Sequence, residues 1–131
     1  MTKIVLDTNI IISAALSSLG NPAKTINLIY EKKEVQLYYS LGILAEYERV
    51  LSRARLNISQ KTQDMIISAV KENGILIEPP VSTFLLPDES DRIFYDAAKS
   101  SGAILVTGNI KHFPDEPFIM TPHDFITQFA T

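Results

Sequence analysis

The candidates for chemistry in this sequence are three acidic side chains, Asp7, Glu46 and Asp91. Asp7 ends a short apolar run and precedes Thr8, Asn9 and a second apolar run. One interpretation is structural, because Asp, Thr and Asn side chains accept the free backbone N–H groups at the start of a helix. The other is chemical, because open α/β sheets bind ligands beyond the carboxyl ends of their strands. This stretch by itself supports both interpretations.

The elements that must position these acids alternate along the chain. We predict strands at residues 3–6, 35–39, 75–77, 103–107 and 118–120. We predict helices at residues 10–16, 22–32, 41–53, 60–72 (capped by Ser59) and 122–129, and a further helix that follows the segment "PDES" and ends at Gly102. Strands separated by helices indicate βαβ units. The prediction is therefore an α/β fold, a single domain over residues 1–131 with a mainly parallel central sheet of four to five strands and helices on both faces.

This architecture predicts that the acidic residues meet. In an open parallel sheet, the residues that follow the strands lie along one edge. Asp7 follows the first predicted strand, and Glu46 lies in the second turn of the helix after the second strand. Asp88 and Asp91 precede a helix that packs on the sheet, and Thr107-Gly108-Asn109 follows the fourth strand. We therefore expect one crevice with several carboxylates.

Carboxylates in one crevice repel one another and raise each other's pKa. We expect no Lys or Arg to adjoin and neutralise them, so we expect a divalent cation. Oxygen ligands without cysteine and without a pair of histidines favour Mg²⁺ or Mn²⁺, and the chain has no cysteine. Such ions orient a water and neutralise charge on a transferring phosphate. The pattern thus predicts phosphodiester hydrolysis.

Each acid also has a structural interpretation. Glu46 has the spacing for a surface ion-pair ladder with Arg49 and Arg53. Asp88 and Asp91 lie at a helix N-terminus, where negative charge interacts favourably with the helix dipole. We favour the metal site because a structural role explains each acid separately but does not explain their shared edge.

Five further residues are predicted to support the site, namely Thr8, Asn9, Asp88, Thr107 and Asn109. We predict that Thr8 and Asn9 cap the first helix and orient Asp7. We predict that the Thr107 hydroxyl hydrogen-bonds to Asp7 or to a water. His112 and His123 are weaker candidates for substrate contact, and Asp96 is predicted to lie on the outward, solvated part of its helix.

Four stretches of the sequence carry a family resemblance, "IVLDTNIIISAAL", "LAEYERVL", "PDESDRIFYDAAKSSGAILVTGNIKHFP" and "MTPHDFI". In this order they resemble the successive motifs of a PIN domain, and most closely the VapC-like toxin components of toxin–antitoxin systems. By this resemblance the family's acids fall on Asp7, Glu46 and Asp91, with Asp88 as an additional candidate. The resemblance implies a PIN-like fold and a metal-dependent endoribonuclease whose ion is held by Asp7, Asp91 and Glu46.

The resemblance also implies partners, namely an RNA substrate and an antitoxin protein, and we expect the chain to form a homodimer. One position departs from the family pattern. Many PIN domains carry a fourth Asp after the "VTG" strand, where this chain has Asn109. Asn offers hydrogen bonds and a carbonyl ligand but no negative charge. We therefore expect a supporting role for Asn109 and question a second strongly bound ion.

Composition excludes several classes of protein. A chain of 131 residues can fold around one core without a structural metal, and the absence of cysteine excludes zinc–thiolate sites, disulfides and cysteine nucleophiles. No apolar run is long enough to cross a bilayer, and Asp7 and Asn9 interrupt any signal-like segment, so we expect a cytoplasmic protein without a membrane partner. The net charge of −3 argues against non-specific coating of nucleic acid. Charge is nevertheless uneven, with eight Lys/Arg against five Asp/Glu in residues 1–63 and four against ten in 64–131.

The main alternative function is a non-catalytic PIN-like module that binds RNA or protein. Two other enzyme-like hypotheses fit less well. A phosphatase of the haloacid-dehalogenase type needs a second Asp two residues after the first, where this chain has Asn9. A response-regulator receiver needs a Lys after a later strand, and "VTGN" supplies none. Metal-dependent cleavage by the purified protein would separate the catalytic from the non-catalytic hypothesis.

Overall fold

The computed structural model describes residues 1–31 and 34–129, and these ranges contain five strands and six α-helices. The strands are β1 Thr2–Leu6, β2 Val35–Tyr39, β3 Gly74–Leu76, β4 Ile104–Val106 and β5 Ile119–Met120. The helices are α1 Thr8–Leu16, α2 Asn21–Glu31, α3 Leu41–Leu51, α4 Gln60–Asn73, α5 Arg92–Ser101 and α6 Pro122–Phe129. Short 3-10 turns span Ala54–Leu56, Glu89–Asp91 and Ile110–His112. No helix in the described part of the chain is both long and apolar enough to span a membrane.

All five strands are parallel and form one sheet in the order β3-β2-β1-β4-β5. This confirms the predicted α/β architecture with a parallel sheet. Leu6 at the end of β1 pairs with Val106 at the end of β4. Because β1 is central, its carboxyl end lies between those of β2 and β4, at the edge where ligands bind in such sheets.

The central strand is buried on both of its faces. Ile4, Val5 and Leu6 are at most 1% exposed, and successive residues of a strand point to opposite faces. Helix α5 packs on β1 and β4, whereas α2 and α4 pack on β2. A continuous apolar run is what a parallel strand between two layers of helices requires. Because helices cover both faces of the sheet, β1 and the residue that follows it, Asp7, lie in the interior.

Local signals account for several element ends. The Ser59 hydroxyl accepts a hydrogen bond from the Thr62 N–H at 3.1 Å and begins α4, as predicted. Gly102 ends α5 with a φ of 69°, a left-handed conformation that glycine adopts without strain. Gly74 lies so close to β2 that an added Cβ would be 2.7 Å from the Tyr39 ring. Glycine at this position therefore permits the close approach of β3 to β2.

Some predicted boundaries differ from the observed ones. Helix α1 begins at Thr8 rather than residue 10, α3 ends at Leu51 rather than residue 53, and β4 is one residue shorter at each end than predicted. The predicted end of α2 at residue 32 lies outside the described residues. These shifts follow from caps and turns that apolar periodicity does not encode.

The prediction of a solvated Asp96 is wrong. This side chain is 6% exposed, and its Oδ2 accepts a hydrogen bond from the Ser82 N–H at 3.1 Å. The extended segment that leads from β3 to α5 passes over this side of the helix and covers it. The burial of this face of α5 could not be predicted from the helical pattern, because the segment that covers it has no regular structure.

Candidate active site

Asp7 is the N-cap of α1, as the structural interpretation predicts, and it also lies directly after β1, at the carboxyl end of a strand. Its Oδ1 accepts a hydrogen bond from the Thr8 N–H at 2.8 Å. Its Oδ2 accepts hydrogen bonds from the Thr107 hydroxyl at 2.7 Å and from the Asn9 amide at 3.2 Å. The side chain is 6% exposed, and this burial raises the pKa of the Asp7 carboxyl although the hydrogen bonds act in the opposite direction.

The prediction that Thr8 and Asn9 cap α1 is wrong, because Asp7 occupies that position. Asn9 instead links two loops, since its Nδ2 donates to Asp7 and its Oδ1 accepts from the Gly108 N–H at 2.9 Å. The predicted hydroxyl hydrogen bond from Thr107 to Asp7 is present. The Thr107 oxygen also accepts from the Asn109 N–H at 3.0 Å, which ties the loop after β4 to the loop after β1.

Asp91 ends the 3-10 turn that precedes α5, and its carboxylate is poorly compensated. Its Oδ2 is buried and has no hydrogen-bond partner among the described residues. The His112 Nδ1 lies 3.8 Å from this oxygen. Burial, together with the negative charges of Asp7, Asp88 and Glu46, raises the pKa of Asp91 to about 6.

One open cleft of about 440 Å³ brings the predicted residues together. Its lining includes Asp7, Thr8, Asn9, Glu46, Asp91 and Asn109. The convergence of four separate chain segments on one sheet edge therefore agrees with the sequence prediction. Thr107 is fully buried behind Asp7 and supports it from below rather than lining the cleft.

Glu46 reaches the cleft from α3, which is anchored to the end of β1. The anchor is the buried Tyr47 hydroxyl, which donates to the Leu6 carbonyl at 2.5 Å. The Glu46 carboxylate is paired with the Arg49 guanidinium at 2.5 Å, so the predicted ion pair with Arg49 is present, whereas no pair with Arg53 is found among the described residues. Within residues 1–31 and 34–129, no three His, Cys, Asp or Glu side chains lie close enough together to hold a metal ion. The three predicted ligands Asp7, Glu46 and Asp91 therefore line one cleft without forming such a group, with Asp7 held by hydrogen bonds and Glu46 by Arg49.

Asp88 and the two histidines have other surroundings. The exposed Asp88 carboxylate accepts hydrogen bonds from the Ser90 N–H at 2.9 Å and the Ser90 hydroxyl at 2.8 Å, which lower its pKa. It therefore shapes the turn before Asp91 rather than lining the cleft. His112 lies beside Asp91, whereas His123 at the start of α6 lies 3.4 Å from Asp124 and does not line the cleft.

The expectation that no basic residue adjoins the acids is wrong. Arg53 and Arg55 line the same cleft. Both belong to the segment "SRARLN", where the chain leaves α3 and forms the 3-10 turn Ala54–Leu56. The prediction extended α3 through Arg53, so the turn that directs both arginines into the cleft was missed. The signal in the sequence was the closely spaced pair of arginines after the apolar pattern had ended.

Two solved structures share this fold. The crystal structure of PAE2754 from Pyrobaculum aerophilum superposes with a TM-score of 0.64 at 16% sequence identity, over 98% of this chain and 90% of that one. VapBC2 from Rickettsia felis, crystallised with a DNA fragment from their promoter, superposes with a TM-score of 0.58 at 19% identity, over 92% of this chain and 97% of that one. At such identities the likeness shows the fold.

Similarity in sequence extends over most of the chain. An uncharacterised protein of Methanocaldococcus jannaschii, MJ1680, is 33% identical over 110 residues, which cover 82% of this chain and 70% of that protein. The sequence model of the PIN domain family matches residues 3–111, a range that contains Asp7, Glu46 and Asp91. The chain therefore belongs to the PIN domain family, whose members are generally nucleases.

Proposed function

We propose that this chain, as one nuclease domain over residues 1–131, is a metal-dependent endoribonuclease. The observation that carries the proposal is the pair Asp7 and Asp91. These carboxylates come from separate segments and share one cleft, and the pKa of Asp91 is raised to about 6 by burial and by the charge of Asp7. Perturbed carboxyl groups in a cleft are typical of functional sites. Membership of a family of nucleases supports the same conclusion.

Asp7 and Asp91 offer the carboxylate oxygens that a divalent cation binds, although among the described residues no third acid or histidine lies close enough to complete the group. The Asp91 Oδ2 lacks a partner among the described residues, and a cation would relieve both this deficiency and the repulsion from Asp7. Carboxylate oxygens favour Mg²⁺ or Mn²⁺. We propose that Asp7 and Asp91 hold the ion and that Glu46 joins them when it leaves Arg49. When bound, the ion supplies positive charge that stabilises the transferring phosphate and activates water.

The protein's own contribution is to orient these carboxylates. Thr107 and Asn9 both donate to the Asp7 Oδ2, so this oxygen has a fixed direction before any ligand arrives. Such supporting hydrogen bonds tune the affinity of ligating carboxylates. Asn109 lines the cleft and offers a donor and an acceptor to the substrate without adding charge. In the reaction, a water oxygen bonds to phosphorus and gives up one proton, the bond to the leaving ribose oxygen breaks, and that oxygen takes up a proton.

We propose that the RNase acts as the toxin of a toxin–antitoxin pair and that it forms a homodimer. The proposal rests on the VapC-like motifs and on the structural likeness to VapBC2. An antitoxin could inhibit by placing an arginine against Asp7 and Asp91, because this charge-assisted pair would compete with the metal. Co-purification with the neighbouring gene product should lower RNase activity, and light scattering reports the oligomeric state. Unchanged activity in the complex would contradict the toxin assignment.

The direct test of the enzymatic proposal is an RNA cleavage assay. Purified protein is incubated with a single-stranded RNA in Mg²⁺, in Mn²⁺ and in excess chelator. We expect internal cleavage with either ion and none with chelator. Chelator-resistant cleavage would contradict the metal requirement, and an intact RNA under all conditions would contradict the nuclease.

A non-catalytic binding module is the second candidate function. The observation that favours it is the Glu46–Arg49 ion pair, which keeps the third acid from the other two. Asn109, at the place of a fourth family acid, also leaves the cleft less negative than in many PIN domains. This hypothesis predicts that the protein binds RNA but leaves it uncut in Mg²⁺ and in Mn²⁺.

A further inference from the structure

Arg53 and Arg55 are two cationic side chains of the cleft. Both line the cleft that contains Asp7 and Asp91. Neither forms an ion pair or a side-chain hydrogen bond with any residue in the ranges 1–31 and 34–129. By contrast, the neighbouring Arg49 is held by Glu46. The two guanidinium groups are therefore available to a ligand.

The arginines and the acids reach the cleft from different elements. Arg53 and Arg55 belong to the segment after α3, whereas Asp7 follows β1 and Asp91 precedes α5. The cleft therefore contains cationic as well as acidic side chains. A ligand that contacts both kinds must present one group to a cation at the acids and a second, anionic group to the arginines.

The backbone that presents the arginines is ordered by its own hydrogen bonds. The Arg53 N–H donates to the Val50 carbonyl at 3.1 Å, and its carbonyl accepts from the Leu56 N–H at 3.0 Å. Asn57 closes the turn in a left-handed conformation with a φ of 51°. Both side chains of this segment line the cleft. Two guanidinium forks are well suited to phosphate, which they bind through paired N–H donors.

We propose that Arg53 and Arg55 bind an RNA phosphate adjacent to the one that is cleaved. The inference rests on the proposed RNase function and extends it, because it makes a polynucleotide rather than a dinucleotide the preferred substrate. A contact to a non-reacting phosphate stabilises the bound substrate and the transition state alike. Removing it should therefore raise KM and leave kcat nearly unchanged.

The test compares RNA binding and cleavage by Arg53→Gln/Arg55→Gln with those by Lys61→Gln/Lys71→Gln. The control removes the same charge from exposed residues of α4 that do not line this cleft. Binding of a single-stranded RNA in chelator is measured by fluorescence anisotropy. We expect the affinity to fall roughly tenfold per arginine, which is roughly a hundredfold for the double variant, and to change little in the control. The dependence of log K on log salt should become shallower by about 0.7 for the lost phosphate contact. Circular dichroism checks that all variants are folded.

A substrate truncation locates the contact. On an oligonucleotide, the arginine variant should show a raised KM with kcat close to wild type. On a dinucleoside monophosphate, which has only the scissile phosphate, variant and wild type should have the same kcat/KM. Equal RNA binding by wild type and arginine variant, or an equal loss on both substrates, would overturn the inference. If wild type binds RNA through the arginines but never cuts it, the RNase function fails and the phosphate contact stands.

Discussion

The Asp7 carboxylate accepts three hydrogen bonds, one that caps α1 and two from side chains that surround the cleft. A cap alone would require neither Thr107 nor Asn9. Thr107 is fully buried and directs its hydroxyl to the Asp7 Oδ2. The hydroxyl thus supports the carboxylate, and its removal takes away the shortest of the three hydrogen bonds to Asp7.

We predict that Thr107→Val weakens Mn²⁺ binding and RNA cleavage by about 10- to 100-fold, the usual effect of losing a hydrogen bond to a metal ligand. Valine has the shape of threonine but cannot donate to Asp7. Titration of Mn²⁺ and cleavage rates measure the effect, and Thr107→Ser is the control because it keeps the hydroxyl. Equal metal affinity in the Val and Ser variants would show that the hydrogen bond does not support the site.

At the scale of the elements, Arg92 and Asp96 of α5 hold the segment that precedes this helix by hydrogen bonds. Arg92 donates to the Ser82 carbonyl at 2.9 Å, to the Ser82 hydroxyl at 2.8 Å and to the Phe84 carbonyl at 2.5 Å. Asp96, one turn later, accepts from the Ser82 N–H. Because Asp91 directly precedes Arg92, the same contacts fix the start of α5 and with it the Asp91 carboxylate.

We predict that Arg92→Gln releases this segment and displaces Asp91. Limited proteolysis should show faster cutting between residues 79 and 87, and RNA cleavage should fall although Arg92 does not line the cleft. Lys71→Gln, which removes a charge from α4, serves as the matched control. Unchanged proteolysis together with reduced activity would assign Arg92 a role in catalysis rather than in holding the segment before α5.

The elements also show which parts could be predicted from the sequence. The bounds of β2, the Ser59 cap and the Gly102 stop were predicted correctly, because apolar runs and capping residues are local signals. The convergence of the acids followed from the parallel topology. Arg53, Arg55 and the buried Asp96 could not be placed, since they adjoin non-periodic segments whose course is determined by tertiary contacts.

At the scale of the whole molecule, the sheet order places β1 between β2 and β4 and so gathers acids from distant segments. The unneutralised charge costs stability when no cation is bound. The pKa of Asp91 is about 6 in the folded protein, against an ordinary value of 3.8. As the pH rises between these values, the unfolded chain releases a proton that the folded protein keeps. The free energy of unfolding therefore falls as the pH rises through this window.

We predict that Asp91→Asn removes this fall in the free energy of unfolding with rising pH. Urea denaturation in chelator should give a variant whose stability, relative to wild type, increases from about pH 4 to about pH 6 and stays higher at pH 7. Mg²⁺ or Mn²⁺ at pH 7 should stabilise the wild type and have little effect on the variant. A difference between the two proteins that is independent of pH would contradict the assigned pKa.

The most direct test of the nuclease account is RNA cleavage by Asp7→Asn beside wild type. Asparagine caps a helix as well as aspartate does, so the variant should fold, which circular dichroism verifies. It removes one negative charge from the proposed ion site and leaves an amide facing the Asn9 donor. The account predicts cleavage by wild type in Mg²⁺ or Mn²⁺ and none by the folded variant at the same ion concentration. Full activity of Asp7→Asn would return this residue to its role as a helix cap and contradict the proposed active site.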